Sequence, residues 1–175
     1  NGNGTFNAAL TYTASGNGTY DVSLIDINGD GALDIVSVGN NAGGFANIRL
    51  GTGNGTFSAA TSYAMDSSVT FALTTGDLNG DGILDLVSGG YNGVGASTTI
   101  RLGTGGGAFG NATSFNTGNS QTRGVALGDL DGDGILDLVT TGYSANGYIT
   151  VQHGNGNGTF AAGTSYLAEG TRSNS

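Results

Sequence analysis

The residues of this sequence best equipped for chemistry are carboxylates set on glycine-rich turns. The nonapeptide Asp26-Ile-Asn-Gly-Asp-Gly-Ala-Leu-Asp34 recurs as Asp77-Leu-Asn-Gly-Asp-Gly-Ile-Leu-Asp85 and as Asp129-Leu-Asp-Gly-Asp-Gly-Ile-Leu-Asp137, offset by 51 and then 52 residues. Positions 1, 3, 5 and 9 hold Asp26, Asn28, Asp30 and Asp34, then Asp77, Asn79, Asp81 and Asp85, then Asp129, Asp131, Asp133 and Asp137, with Gly at 4 and 6. Alternating oxygen ligands on a tightly turning loop can converge on one hard cation if the backbone between them bends without Cβ clashes, which glycine permits. The backbone carbonyl at position 7, from Ala32, Ile83 or Ile135, is the natural fifth protein ligand. Many oxygens on a flexible loop suit calcium. Magnesium prefers few carboxylates and several waters, and zinc prefers nitrogen or sulfur. The expectation is about three Ca²⁺ ions, one per complete motif.

A single copy would equally suit a Gly/Asp hairpin turn with solvated carboxylates. Three copies in phase weigh against that. Ten of the thirteen acidic residues lie inside the motifs, giving formal charges of −3, −3 and −4 in loops too small to separate them. Without a cation each cluster repels itself. The loops are not EF-hands, since position 12 is Ser37, Ser88 or Thr140 instead of Glu and the flanks read as strands. The nonapeptide of calcium-binding β-rolls repeats every nine residues, unlike the period of 51 to 52 found here.

Composition narrows the remaining classes. The chain has 175 residues, 36 of them Gly, with no Pro, Cys or Trp, and a net charge of −9. Its four basic residues are all Arg, too few and too scattered to neutralise a phosphate backbone, so nucleic acid is not an expected partner. The absence of cysteine removes disulfides and Cys-based zinc sites. No apolar run is long enough for a membrane span.

The motifs need elements to position them, and a second marker keeps the same period. Gly-Asn-Gly-Thr-Phe ends at Phe6, Phe57 and Phe160, with Gly-Gly-Gly-Ala-Phe ending at Phe109, and an aromatic follows six residues later at Tyr12, Tyr63, Phe115 and Tyr166. Before each acidic motif, Val22 and Leu24, Leu73 (with polar Thr75), and Val125 and Leu127 alternate as in a strand with one buried face. After it come Leu33-Asp-Ile-Val36, Leu84-Asp-Leu-Val87 and Leu136-Asp-Leu-Val139, read as short buried strands. Ile48/Leu50, Ile100/Leu102 and Ile149/Val151 supply a third strand ending at a glycine, and the stretch from Phe to aromatic supplies a fourth. No helical period occurs. Four antiparallel strands per period describe one blade of an all-β propeller-type repeat array, with a solenoid of hairpins or a sandwich as the other all-β readings. The whole chain, 1–175, is one array of about 3.4 periods, with repeats near 6–57, 57–109 and 109–160 and partial repeats at both ends.

Asp-x-Asn/Asp-Gly-Asp-Gly-x-x-Asp, a following Leu-Val strand and Gly-Asn-Gly-Thr-Phe before the next blade together resemble the FG-GAP/VCBS repeats of integrin α-subunit-like β-propellers. The resemblance spans essentially the whole chain. It implies four-stranded blades with calcium in the loop between the first two strands. It also implies placement outside the cell or at its surface, and roles in adhesion, ligand recognition or scaffolding. The departure at Gly105-Gly-Gly-Ala-Phe109 weakens the turn signal there.

Closed propellers usually have about four to eight blades. A longer array, a ring closed by symmetry mates or an open assembly would each resolve the shortfall, and two copies come close to seven blades. The expectation is therefore additional blades or self-association, since bare strand edges favour pairing. Arg49 and Arg101 occupy matching third-strand positions, aligned with Thr150 in the third copy, and are read as facing outward or pairing with a neighbouring blade's acids. His153 reads as a strand-end residue. Tyr91 and Tyr143, after the second strand, are candidates to pack or to stack on sugar, which keeps a carbohydrate-binding propeller as the alternative function. Asn-x-Thr sequons fall at Asn3, Asn17, Asn54, Asn111 and Asn157. An enzyme is not expected, because no nucleophile–base pair is evident and identical carboxylates in each repeat suit a structural task.

Overall fold

The computed structural model describes residues 4–5, 8–13, 18–40, 43–118, 120–143 and 147–167. The Phe6 marker and the sequons at Asn3 and Asn17 lie outside them. Twelve strands and no helix form among the described residues. They make three antiparallel four-stranded sheets. The first contains β1 (Gly18–Ile25), β2 (Asp34–Asn40), β3 (Gly44–Arg49) and β4 (Thr61–Ala64) in that spatial order. The second contains β5 (Val69–Gly76), β6 (Asp85–Tyr91), β7 (Ala96–Gly105) and β8 (Ala108–Phe115). The third contains β9 (Gln121–Gly128), β10 (Asp137–Tyr143), β11 (Tyr148–Gln152) and β12 (Thr164–Leu167). Each is a propeller-type blade whose strands follow one another up and down, as the period predicts.

Register confirms that the blades are copies. Val22 pairs with Ser37, Leu73 with Ser88, and Val125 with Thr140. The first strand of each sheet lies against the preceding sheet: β5 meets β1 and β2, and β9 meets β5 and β6. The core sits in these seams. Val36, Val38, Ala46 and Ile48 pack with Leu73 and Leu86 in one cluster, and Val87, Ile100 and Leu138 pack with Val125 and Leu127 in the other. Burying an aliphatic side chain of this size contributes roughly 1.5–3 kcal/mol, so the seams hold the array together.

One expectation needs correction. Val22 and Leu24 alternate as predicted, but they are 61% and 60% exposed. Their counterparts are covered because an earlier blade lies over them, and no described residue covers the outer face of β1. At the other end, Leu130 is 54% exposed whereas its counterparts Ile27 and Leu78 are buried. The next repeat's marker makes the difference: Gly158 N–H donates to the Leu78 carbonyl at 3.1 Å.

The marker at Phe109 also differs from expectation. Its turn is the more fully paired one, with β7 and β8 extending through two register shifts to Gly105 and Ala108, whereas the sister markers keep only single bridges, Gly51 to Phe57 and Gly154 to Phe160. Gly106, at φ +62°, replaces Asn54 without steric cost.

Candidate metal centres

Each acidic motif spans the connection between the first two strands of a blade. Position 1 follows the first strand directly, and position 9 opens the second, as Asp34, Asp85 and Asp137. The glycines at positions 4 and 6 are left-handed in all three, with φ from +75° to +88°. That conformation folds the loop back so that its N–H groups point inward at position 1. In the first loop, Asp26 Oδ1 accepts from Gly29 N (2.8 Å) and Asp30 N (3.0 Å), and Oδ2 accepts from Gly31 N (2.7 Å). The second loop repeats this at Asp77, with Gly80, Asp81 and Gly82 as donors. Asp129 accepts from Gly132 and Gly134 in the third.

Position 5 is held in the same way. Ala32 N donates to Asp30, Ile83 N to Asp81 and Ile135 N to Asp133, each at 2.8 Å. These bonds favour the ionised carboxylates. The donor from Ala32, then the Asn28 amide, holds Asp30 below the ordinary carboxylate range. Burial pushes Asp77 upward, but backbone donors led by Gly82 and Gly80 outweigh it and leave the group lowered.

Position 3 is where the three loops differ. In the first two, the Asn28 and Asn79 amides turn their Nδ2 toward the position-5 carboxylate, at 2.8 and 2.9 Å. The same amides accept through Oδ1, from Asp30 N at 3.0 Å and Asp81 N at 3.1 Å. In the third loop Asp131 replaces the amide, and one oxygen each from Asp129, Asp131 and Asp133 lies within 4.8 Å of the others. A hard cation fits this donor set. The residues that would hold it are Asp26, Asn28 and Asp30, Asp77, Asn79 and Asp81, and Asp129, Asp131 and Asp133, with the carbonyls of Ala32, Ile83 and Ile135 beside them.

Position 9 carries a second task invisible in the sequence. Asp34, Asp85 and Asp137 are nearly fully buried. One oxygen of each accepts from the position-2 N–H, of Ile27, Leu78 or Leu130. The other accepts from the glycine ending the third-strand run, Gly51, Gly103 or Gly154. The carboxylate therefore braces loop to sheet whether or not it also meets a cation. A Cβ at Gly51, Gly103 or Gly154 would come within 2.2–2.4 Å of the carbonyl of Leu33, Leu84 or Leu136. These glycines were visible in the sequence as strand ends recurring with the period, but nothing local announced their role.

The same glycines correct an alignment. Counted back from them, Arg49 and Arg101 match Gln152, not Thr150, and the pairing agrees: Ile35 with Arg49, Leu86 with Arg101, Leu138 with Gln152. Neither Arg49 nor Arg101 pairs with an acid among the described residues. Arg101 donates to the Ala64 carbonyl of the preceding blade and to Gly110 of its own, and lies 5.5 Å from the Tyr63 ring. Tyr63 in turn stacks edge-on against Phe109 at 5.4 Å. Arg49, Tyr12 and Phe57 repeat the arrangement. The two markers are thus an inter-blade clasp.

His153, read only as a strand end, reaches the third loop. Its Nδ1 is 3.3 Å from Asp131 Oδ2 and 3.3 Å from Asp137 Oδ2. Leucine stands at this place in the sister blades, at Leu50 and Leu102, so the single His of the sequence was the available signal. Tyr143 is 66% exposed, whereas the Tyr91 hydroxyl donates to the Gly93 carbonyl at 2.8 Å.

Comparison with known proteins agrees with this anatomy. The FG-GAP-like repeat family model matches residues 26–88 and 77–140, and the FG-GAP repeat model matches 122–166. No curated protein matches the sequence. A similar solved structure concerns specific recognition of non-reducing terminal N-acetylglucosamine by an Agrocybe aegerita lectin. It is 28% identical with TM-score 0.55, over 81% of this chain and 36% of that one. The chain thus spans about a third of the lectin's length. The pore of a Photorhabdus luminescens Tc holotoxin is 19% identical with TM-score 0.47, over 83% of this chain and 7% of that one. No helix among the described residues is long and apolar enough to cross a membrane.

Proposed function

Because this chain belongs to the FG-GAP repeat family, we propose that it is a calcium-ordered structural and adhesive module working outside the cell or at its surface. The observation carrying this reading is that three acidic loops repeat one internal hydrogen-bond pattern, in phase with the blades and without lysine or arginine to neutralise them. Calcium acts here on stability. An ion that binds only the folded state adds its binding free energy to folding, about 2.7 kcal/mol per site at 100 times Kd. The carboxylates then have a structural task and no turnover.

Removing calcium with EDTA is expected to lower the melting temperature by many degrees, and an unchanged melt would sink the reading. Asp81→Ala is expected to leave two calcium sites of three by calorimetry. The apolar residues uncovered on the outer blades, Val22 and Leu24 at one end and Leu130 at the other, match residues buried at internal seams. We assign them to seams with further blades of the same kind, contributed by the same chain or by a second copy. Native mass spectrometry with calcium reads subunit number and bound ions together.

The likeness to the lectin favours one second reading, a carbohydrate-binding propeller that stacks sugar on exposed Tyr143. A glycan array tests it. Binding lost in Tyr143→Ala, with calcium content unchanged, would favour the lectin.

A further inference from the structure

The third loop departs from its sisters at two places, and the two departures meet in space. Position 3 is Asp131 in place of Asn28 and Asn79, and the residue before the strand-ending glycine is His153 in place of Leu50 and Leu102. His153 Nδ1 lies 3.3 Å from a carboxylate oxygen of Asp131 and 3.3 Å from one of Asp137, and the three ligand atoms all fall within 4.8 Å of one another. A tetrahedral zinc ion, about 2.0–2.2 Å from nitrogen and oxygen, holds its ligands about 3.3–3.5 Å apart. Two of the three separations match this, and the third, between the two carboxylate oxygens, lies within 4.8 Å.

The donor chemistry points the same way. Imidazole nitrogen suits borderline transition ions, whereas calcium takes oxygen. Asp137 is preset by backbone donors, Leu130 N at 3.0 Å and Gly154 N at 2.9 Å, an outer layer of bonds of the kind that orients metal-binding carboxylates. The His153 side is open to solvent, which leaves an entry path and room for water to complete the coordination.

We propose that His153, Asp131 and Asp137 form a zinc site on the third loop alone, distinct in chemistry from the all-oxygen cages. The inference rests on the cation-cage reading only through the shared carboxylates Asp131 and Asp137, so zinc and calcium compete at this loop.

Zinc is titrated by calorimetry into the wild-type chain and into His153→Leu and Asp131→Asn. Each variant restores the residue of the sister blades. The expected result is one zinc per wild-type chain and at least tenfold weaker binding in both variants. Cobalt(II) in place of zinc should give the visible absorption of a four-coordinate centre in the wild type and lose it in His153→Leu. Equal zinc affinity in wild type and His153→Leu, or no uptake at all, overturns the proposal. A parallel calcium titration of His153→Leu separates the two readings. Silence with calcium but His153-dependent zinc uptake would defeat the calcium function and leave the zinc site standing.

Discussion

The second and third acidic loops share a nonapeptide and a hydrogen-bond scheme, yet they sit in different surroundings. The second is enclosed. Leu78 is 3% exposed, and Asp85 braces Leu78 N and Gly103 N inside the seam that the third blade closes. The third is open: Leu130 is 54% exposed, and the matching bonds from Leu130 and Gly154 to Asp137 are only partly buried. It carries one more negative charge, at Asp131, and one imidazole, at His153. The same local sequence thus does two jobs according to whether a neighbouring blade covers it. In both loops the ninth carboxylate is a buried strut, Asp85 at 0% and Asp137 at 1% exposed; what the uncovered loop adds is open access to Asp131 and His153 beside it.

The contrast is most easily broken at position 9. Asp85→Ala strands two buried N–H groups, at about 1–3 kcal/mol each, so metal-free denaturation should record a loss of roughly 2–6 kcal/mol. Asp137→Ala should cost about 1–2 kcal/mol or less, because water can reach the groups left behind. Equal losses in urea melts would show that the covering blade does not matter.

Protonation gives a smaller and sharper contrast. Burial, then the nearby Asp81 and Asp77 carboxylates, raise Asp85 against the bonds from Gly103 and Leu78. For Asp137 burial also pushes upward, but the donors Gly154 and Leu130, and then His153, win, and the group is lowered. The signs oppose. Folded Asp85 holds its proton longer than the unfolded chain does, so its contribution to stability falls as pH rises from the ordinary carboxylate value to its own. Asp137 contributes stability above the ordinary value and loses it as pH falls through its lowered one. Carboxyl-carbon NMR of the calcium-free protein should find Asp85 titrating at the higher pH, and coincident midpoints would contradict this.

Much of this molecule was legible because its information is periodic. Two markers on one period located the strands, the blades and the loops, and Asp26 to Asp137 fell where the motif put them. What escaped was set by neighbours. Val22 and Leu24 read as buried because alternation tells a strand that it has an apolar face, not whether a blade lies on it. Gln152 hid behind Thr150 because counting from the apolar pair, instead of from Gly154, slips the register by two. The bracing by Asp34, Asp85 and Asp137 joins residues 7 apart and 17 or 18 apart through backbone donors, which no side-chain pattern records. His153 was a single departure, and only the folded chain brings it to Asp131.

The inter-blade clasp sharpens the comparison at the smallest scale. At the first seam Arg101 Nη2 and Nε reach the Ala64 carbonyl at 2.5 and 3.1 Å, and the Tyr63 hydroxyl accepts from Phe109 N at 3.3 Å. At the second seam both partners have changed. Gln152 donates only to Ala161 of its own blade, and Phe115, without a hydroxyl, meets Phe160 at 6.2 Å in a tilted arrangement. This seam keeps other polar contacts, Gly158 N to the Leu78 carbonyl at 3.1 Å and Arg123 over the Phe71 ring at 3.9 Å, but has neither the tyrosine hydroxyl nor the third-strand arginine of the first. Arg101→Gln should copy the arginine half of that change at the first seam and cost about 1 kcal/mol, since an exposed cation–π contact contributes only about 0.5–1 kcal/mol. The expected fall in melting temperature is about 2–4 °C. Tyr63→Phe, which removes only the hydroxyl that accepts from Phe109 N, should cost about 0.5–1.5 kcal/mol, and an unchanged melt would show that this bond contributes nothing to the first seam.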